Sequence, residues 1–342
     1  VQGGLNVAGI SRREFMKRTF ASGVAGGLIL TGAEKAAEAS GKEQPVGTFI
    51  DMTLCDGCKG REIPACVSAC RSKNQSRFPV PVKDIPKFWP QNKTEDWSDK
   101  KGLTTRLTPY NWTFVQKTKI EHNGKSFEIN IPRRCMHCSN PPCAGVCPFS
   151  AQTVTREGAV VTNPEICMGG AKCRDVCPWG IPARQSGVGL YMNLMPDLAG
   201  GGVMYKCDLC IDRVRSGIEP ACVEECPQRA IKFGQRSDML AQAQTRAKAI
   251  KGFIYGEKEN GGTSTFYVSP VPFEKIHQAL LEQKAKQPNP EAPGFPGMSV
   301  QVGNFLDTPN GLAAGFLIAP VAGIFAAGFR AYKTMKGEDA DV

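Results

Sequence analysis

The sequence has no glycine-rich loop of the kind that cradles a nucleotide and no convincing nucleophile–base pair. Those absences leave the chain with no substrate site of its own and argue against a catalytic protein. It also has no cysteine outside four short stretches. That is the more informative gap, because fifteen cysteines in 342 residues are too many for chance packing positions. Charge is missing from two segments, Thr19 to Ala33 and Thr308 to Phe329. The first is too short to span a bilayer comfortably, whereas the second approaches the roughly 20 apolar residues that a span needs.

The cysteines present are Cys55, Cys58, Cys66 and Cys70; Cys135, Cys138, Cys143 and Cys147; Cys167, Cys173 and Cys177; and Cys207, Cys210, Cys222 and Cys226. Three groups share the form C-x2-C-xn-C-x3-C, with n of seven, four and eleven, and Cys147, Cys177 and Cys226 are each followed by proline. This is a variation on the bacterial ferredoxin run, in which three closely spaced thiolates reach one cubane and the fourth ligates its neighbour. Zinc competes, because C-x2-C pairs make tetrahedral sites, but it has no use for the recurring x3-Cys-Pro. An odd count of fifteen argues against a disulfide framework.

The third group, ICMGGAKCRDVCPWG, carries Gly170 where a second cysteine is expected. With Gly170 counted, its spacing is the most ferredoxin-like of the four. Loss of one ligand points to a [3Fe-4S] cluster, the alternative being a fourth [4Fe-4S] cubane with a non-cysteine ligand. Met168 is close in sequence, but a thioether is a poor ligand for this iron.

The formal charge of +10 suggests an anionic partner only if the cysteines are neutral. Cubanes on four thiolates carry roughly −2 each and cancel most of that excess. No nucleic-acid partner is expected.

The ends read as an address and an anchor. SRREFMK with Arg12 and Arg13, a mildly apolar stretch and Ala37-Glu38-Ala39 predict a twin-arginine signal segment over residues 1–39. Residues 308–330 predict a transmembrane helix, and Arg330, Lys333 and Lys336 place the tail, 331–342, in the cytoplasm. Between them lie a four-cluster domain over 46–286, with an insertion at 71–134, and a proline-rich linker at 287–307. VGTFIDMT reads as a strand, TVTREGAVVTN as a hairpin turning at Glu157-Gly158, AIKFG as a strand, and 237–252 as a surface helix. His137 stands where it could hydrogen-bond a neighbouring cluster or merely pack beside it. Trp179 is positioned to shield the third-motif cluster from water.

Taken together, these motifs resemble the four-cluster iron–sulfur subunits of respiratory oxidoreductases, as in periplasmic [NiFe] hydrogenases and membrane formate dehydrogenases. RRCMHCSNPPCAGVCP, KCDLC and YGEKENGGTSTFYVSPVPFEKI carry the likeness. The resemblance implies an α+β fold of two ferredoxin-like modules with paired iron–sulfur clusters, plus a C-terminal transmembrane helix. It also implies that the motifs pair first with fourth and second with third. One [4Fe-4S] cluster would then use Cys55, Cys58, Cys66 and Cys226, and its mate Cys207, Cys210, Cys222 and Cys70. A third [4Fe-4S] cluster would use Cys135, Cys138, Cys143 and Cys177, leaving Cys167, Cys173 and Cys147 for the [3Fe-4S] centre. Such a subunit relays electrons between a periplasmic catalytic subunit and an integral membrane quinone-site subunit, from the periplasmic face of the bacterial inner membrane. The alternatives are the iron–sulfur subunit of a periplasmic cytochrome c:menaquinone reductase complex and, from a different class, a zinc-binding structural protein. Two features depart from the family pattern. Cys70 is followed by Arg71 in place of proline, and Gly170 stands where hydrogenase and formate dehydrogenase members usually carry cysteine.

Overall fold

Cysteine loops have little regular structure of their own, so strands and helices elsewhere must hold them in place. The computed structural model describes residues 44–87, 94–194 and 201–318, all within one compact unit that begins at Gln44. The chain runs β1 (Val46–Asp51), α1 (Ala65–Asn74), β2 (Phe114–His122), β3 (Lys125–Arg133), α2 (Pro142–Gly145), β4 (Gln152–Val154), β5 (Val160–Thr162) and α3 (Lys172–Asp175). It continues through β6 (Ala183–Ser186), α4 (Tyr191–Leu194), β7 (Gly202–Tyr205), α5 (Ile211–Arg215), α6 (Ala221–Glu224), β8 (Ile231–Gln235) and α7 (Arg236–Ala249). Last come β9 (Phe253–Tyr255), β10 (Thr265–Ser269), α8 (Phe273–Ala285) and α9 (Pro309–Ala313).

One sheet, in the order β8-β1-β10-β9, ties the first and fourth motifs together. β1 pairs antiparallel with β8, Thr48 opposite Phe233, and parallel with β10, Thr48 opposite Thr265. Both faces of β1 are covered, so its residues from Gly47 to Asp51 are all buried. α7 packs on this sheet through Met239, Ala243 and Ala247, spaced four apart, against Phe49, Phe266 and Val268. Asp238 in its first turn and Arg246 and Lys248 in its last complement the helix dipole.

The 71–134 segment is built around the β2–β3 hairpin, whose two-residue turn is Asn123-Gly124. Both residues have positive φ, 51° and 71°, the conformation that a type I′ turn requires. The hairpin packs over the first motif: Asn130 donates to the Cys55 carbonyl at 3.1 Å. The expected turn at Glu157-Gly158 joins β4 to β5, with Gly158 at φ +83°. Residues 287–307 pack against the body: Met298 is fully buried, Ser299 accepts from Tyr255, and Asn304 donates to the Asn140 carbonyl at 2.7 Å.

The C-terminal transmembrane helix expected over 308–330 is corrected here, and with it the anchored location at the periplasmic face. No helix among the described residues is long and apolar enough to cross a membrane. Thr308 caps a five-residue helix, α9, by accepting from the Gly311 amide at 3.1 Å. Residues Ala314–Ile318 then change to π-type hydrogen bonding. Its first turn packs tightly against the preceding 3-10 turn, since a Cβ at Gly311 would lie 1.8 Å from the Phe305 carbonyl oxygen. An uncharged run shows where a span is permitted, but continuous helix over about 20 residues is a separate requirement. The remainder of that run, the predicted tail and the twin-arginine segment fall at 319–342 and 1–39, outside the described residues.

Candidate metal centres

Each cysteine motif folds into the same local unit. The residue just before the second ligand position is left-handed in all four: Gly57 (φ 68°), His137 (φ 50°), Gly169 (φ 67°) and Leu209 (φ 61°). The third ligand then stands at the second residue of a helix, Cys66 in α1, Cys143 in α2, Cys173 in α3 and Cys222 in α6. Pro64, Pro141 and Pro220 precede three of these helices, and their fixed φ suits a helix entry. Cys147, Cys177 and Cys226 close the turn that follows, their amides bonded to Ala144, Arg174 and Val223. Gly170 therefore occupies the place that Cys58, Cys138 and Cys210 fill elsewhere. Its own backbone makes no demand for glycine. Its φ is outside the left-handed range, and an added Cβ would meet nothing nearer than Met168 Cγ at 3.8 Å. Gly169 is the constrained neighbour, with a Cβ there only 2.5 Å from the Gly202 carbonyl oxygen.

The fold brings the thiols into four groups. Cys55, Cys58, Cys66 and Cys226 line one pocket, bounded by Val115 and Pro132 of the hairpin. Burial pushes the Cys55 thiol up to about 11, and Cys226 and Cys58 add to the rise. Cys70 is likewise raised well above its ordinary value, by burial first and then by Cys207, Cys222 and Cys210. Cys135, Cys138, Cys143 and Cys177 line a second pocket. Burial raises Cys143 there to about 12, with Lys206 opposing and Cys135 and Cys177 adding. Cys173 is raised by burial and by Cys143, Cys167 and Cys147. The groups also adjoin in succession: Cys66 feels Cys222, Cys207 feels Cys135, and Cys173 feels Cys143 and Cys177.

All fifteen thiols are free of disulfides. Burial raises the Cys66, Cys70, Cys138 and Cys173 thiols well above their ordinary value, and a cation among them would favour the thiolate. Yet no group of three or more His, Cys, Asp or Glu side chains among the described residues is arranged to hold a single metal ion. Zinc draws its thiolates to about 2.3 Å from one point, whereas an iron–sulfur cluster spreads them over separate irons. Four thiols around each of two pockets suit the second kind of group.

Two buried arginines support the same fit. Arg133 and Arg134 are each 1% exposed. Their Nε atoms, with Arg133 Nη1 and Arg134 Nη2, have no hydrogen-bond partner. Removing a partner from a buried charge costs about 3–5 kcal/mol, so for Arg134 an anionic group on the neighbouring thiols is the natural counter-charge. Arg134 already donates to Cys222 Sγ at 3.0 Å.

Several groups at these sites were not singled out by the spacing. Asn260, fully buried, donates to Cys138 Sγ at 3.1 Å. Lys206 stands in the pocket of the second motif, and Arg134 reaches from that motif into the fourth. For the last two, the adjacent RRC and KCDLC strings place a cation beside a ligand but do not show which cluster it faces. Trp179 lines the pocket of Cys135, Cys138, Cys143 and Cys177 and donates to the Tyr255 hydroxyl at 2.6 Å. Its position serves the second-motif pocket, to which Cys177 contributes.

Two family models, both described as a 4Fe-4S dicluster domain, match residues 54–151 and 127–236. The chain is 30% identical to the hydrogenase-2 operon protein HybA of Escherichia coli O157:H7, over 78% of this chain and 84% of that protein. It is 31% identical to the formate dehydrogenase-O iron–sulfur subunit of Escherichia coli K12, over 69% of this chain and 71% of that protein. The formate dehydrogenase iron–sulfur subunit of Haemophilus influenzae is 28% identical, with 70% and 69% covered. Repeated ligand loops, buried thiol groups and these likenesses agree: the chain belongs to the 4Fe-4S dicluster family of iron–sulfur subunits represented by HybA and the formate dehydrogenase subunits.

Proposed function

We propose that this chain is a non-catalytic electron relay, holding four iron–sulfur clusters in two modules. Cys55, Cys58, Cys66 and Cys226 hold one [4Fe-4S] cluster, and Cys207, Cys210, Cys222 and Cys70 its mate. Cys135, Cys138, Cys143 and Cys177 hold a third. Cys147, Cys167 and Cys173 hold the fourth site. The observation that carries this reading is a pair of pockets, each lined by four cysteines drawn from two motifs: Cys55, Cys58 and Cys66 with Cys226, and Cys135, Cys138 and Cys143 with Cys177. When bound, the clusters supply one-electron oxidation and reduction. The protein's contribution is a dry, rigid setting. Trp179 and the β2–β3 hairpin exclude water, and Arg133, Arg134 and Lys206 offset negative charge. A catalytic partner of the hydrogenase or formate dehydrogenase type exchanges electrons with one end. A membrane subunit in contact with quinone serves the other.

At the fourth site the cluster is [3Fe-4S], because Gly170 stands in the second ligand position, where only Met168 would touch an added Cβ. Low-temperature EPR on the oxidised protein, beside Gly170→Cys, tests this. A near-isotropic oxidised-state signal that vanishes in the variant is expected, since a cysteine fits there without displacing backbone. A silent oxidised wild type with four clusters by iron and sulfide content would mean a [4Fe-4S] centre with a non-cysteine ligand. Wild type lacking iron and labile sulfide would overturn the relay itself.

A further inference from the structure

Where the two modules meet, each sends a polar side chain into the other's site. Arg134 and His137 belong to the second motif, flanking Cys135 and preceding Cys138. Yet Arg134 Nη1 donates to Cys222 Sγ at 3.0 Å, and His137 Nε2 lies 3.6 Å from Cys207 Sγ. Lys206 belongs to the fourth motif, next to Cys207. Its side chain also lines the pocket of Cys135, Cys138, Cys143 and Cys177.

A single residue holds this exchange in register. The Val160 amide donates to His137 Nδ1 at 3.0 Å, while the Val160 carbonyl accepts from Lys206 Nζ. Lys206 Nζ also donates to the Cys207 carbonyl at 3.2 Å. Because Nδ1 accepts, the proton of the neutral imidazole is on Nε2, directed at Cys207 sulfur. Arg134, His137, Val160 and Lys206 are all within a few per cent of full burial. In such a medium a cation or an N–H donor beside a thiolate acts with little screening.

We propose that Arg134, His137 and Lys206 are positioning residues that poise the two inner clusters, raising both reduction potentials together across the module boundary. The inference rests on the cluster assignment above and adds to it a reason for the crossed reach. An added electron makes a cluster more negative, so a fixed cation or hydrogen-bond donor beside it favours the reduced form. Side chains that only glued the modules together would have no need to point at sulfur. Had each module been poised by its own residues, the boundary would separate two independently tuned pairs. The crossed contacts make each inner site depend on the other motif.

Potentiometric titration of the full-length holoprotein, followed by low-temperature EPR, tests this with Lys206→Gln, Arg134→Gln and Lys206→Arg. Lys206→Gln is expected to lower the potential of the cluster on Cys135, Cys138, Cys143 and Cys177 by a tenfold change in its one-electron equilibrium, about 59 mV. Arg134→Gln should do the same to the cluster on Cys70, Cys207, Cys210 and Cys222. The two outer clusters should stay in place, and Lys206→Arg should retain the wild-type value. Where a glutamine variant loses iron, His137→Phe, which removes the Cys207 donor without removing a charge, gives the decisive reading. A fall confined to the Cys207 cluster supports the proposal. Unchanged potentials in a variant with its full iron content overturn it, as does an equal fall in all four clusters. A wild type without clusters overturns the relay reading instead.

Discussion

Gly169 and Gly170 are adjacent, and the structure predicts opposite consequences for giving each a side chain. Gly169 has φ +67°, and an added Cβ would lie 2.5 Å from the Gly202 carbonyl oxygen and 2.6 Å from its carbon. The left-handed conformation costs a side-chain-bearing residue about 1–2 kcal/mol. His137 and Leu209 occupy the equivalent positions of two other motifs, so the conformation alone is tolerated. The Gly202 contact is different, because backbone in β7 must move, and overpacking of this kind costs about 1–3 kcal/mol. Gly169→Ala is therefore expected to cost about 2–5 kcal/mol. The damage falls on a ligand: the Gly169 amide bonds to the Cys167 thiol, as does the Met204 amide of β7 at 3.5 Å. Gly170→Ala meets no atom nearer than 3.8 Å and should be neutral, or stabilising by about 0.4–1 kcal/mol through the unfolded chain. Denaturant titration of the holoprotein, with iron content measured along it, separates the two. Equal destabilisation by both substitutions, or a neutral Gly169→Ala, would refute the reasoning and with it the claim that Gly170 marks a missing ligand.

Other perturbations follow from single contacts. Glu95 accepts two hydrogen bonds from Arg174, at 2.7 and 2.6 Å, and pairs with Arg184 at 3.0 Å. Burial works to raise its carboxyl pKa, but Arg174 and Arg184 hold it below the ordinary value. A carboxylate depressed on folding stabilises above its unfolded pKa of about 4.3 and loses that contribution as pH falls through the folded value. Glu95→Gln should thus cost about 1–3 kcal/mol at pH 7 and flatten the acid limb of a stability profile. Iron loss in that variant should begin at the third motif, where Arg174 follows Cys173. Asn260→Ala removes the donor to Cys138 and should lower that cluster's reduction potential, read by the same EPR titration, with iron content retained. Trp179→Phe keeps the apolar wall but leaves the Tyr255 hydroxyl without its donor, an expected loss of about 1–2 kcal/mol in a denaturant midpoint, with cluster number unchanged.

The ligand loops were legible because their chemistry is local. Spacing, the x3-Cys step and the following proline all act within about one loop and one helical turn, so Cys143 and Cys173 could be placed by counting. The Glu157-Gly158 turn and the strand at Val46 were legible for the same reason. Asn123-Gly124 carried an equally local hairpin signal inside the 71–134 segment, and that turn forms the β2–β3 ribbon over the first motif. The uncharged run after Thr308 was legible as composition but misleading as structure. Lack of charge does not specify continuous helix, and the Gly311 contact with Phe305 packs the first turn against the turn just before it.

What could not be read was direction across the chain. Lys206 is next to Cys207 in sequence, yet its ammonium group serves the pocket around Cys143; Arg134 is next to Cys135, yet it serves Cys222. Neighbourhood in sequence would assign Arg134 to the wrong site and would miss the second pocket that Lys206 reaches. The reversal depends on Val160, which bonds both His137 and Lys206 through a single peptide unit. Apolar periodicity could announce Val160 as a buried strand residue, but not that its backbone would be the fixed point between two modules. A β-branched side chain on a short strand is replaceable by another of similar volume. Its carbonyl survives every substitution, and its amide N–H survives every one except proline. The sequence around the boundary can therefore vary in side chain at Val160 while the crossed contacts persist, provided that Arg134, His137 and Lys206 keep their chemistry.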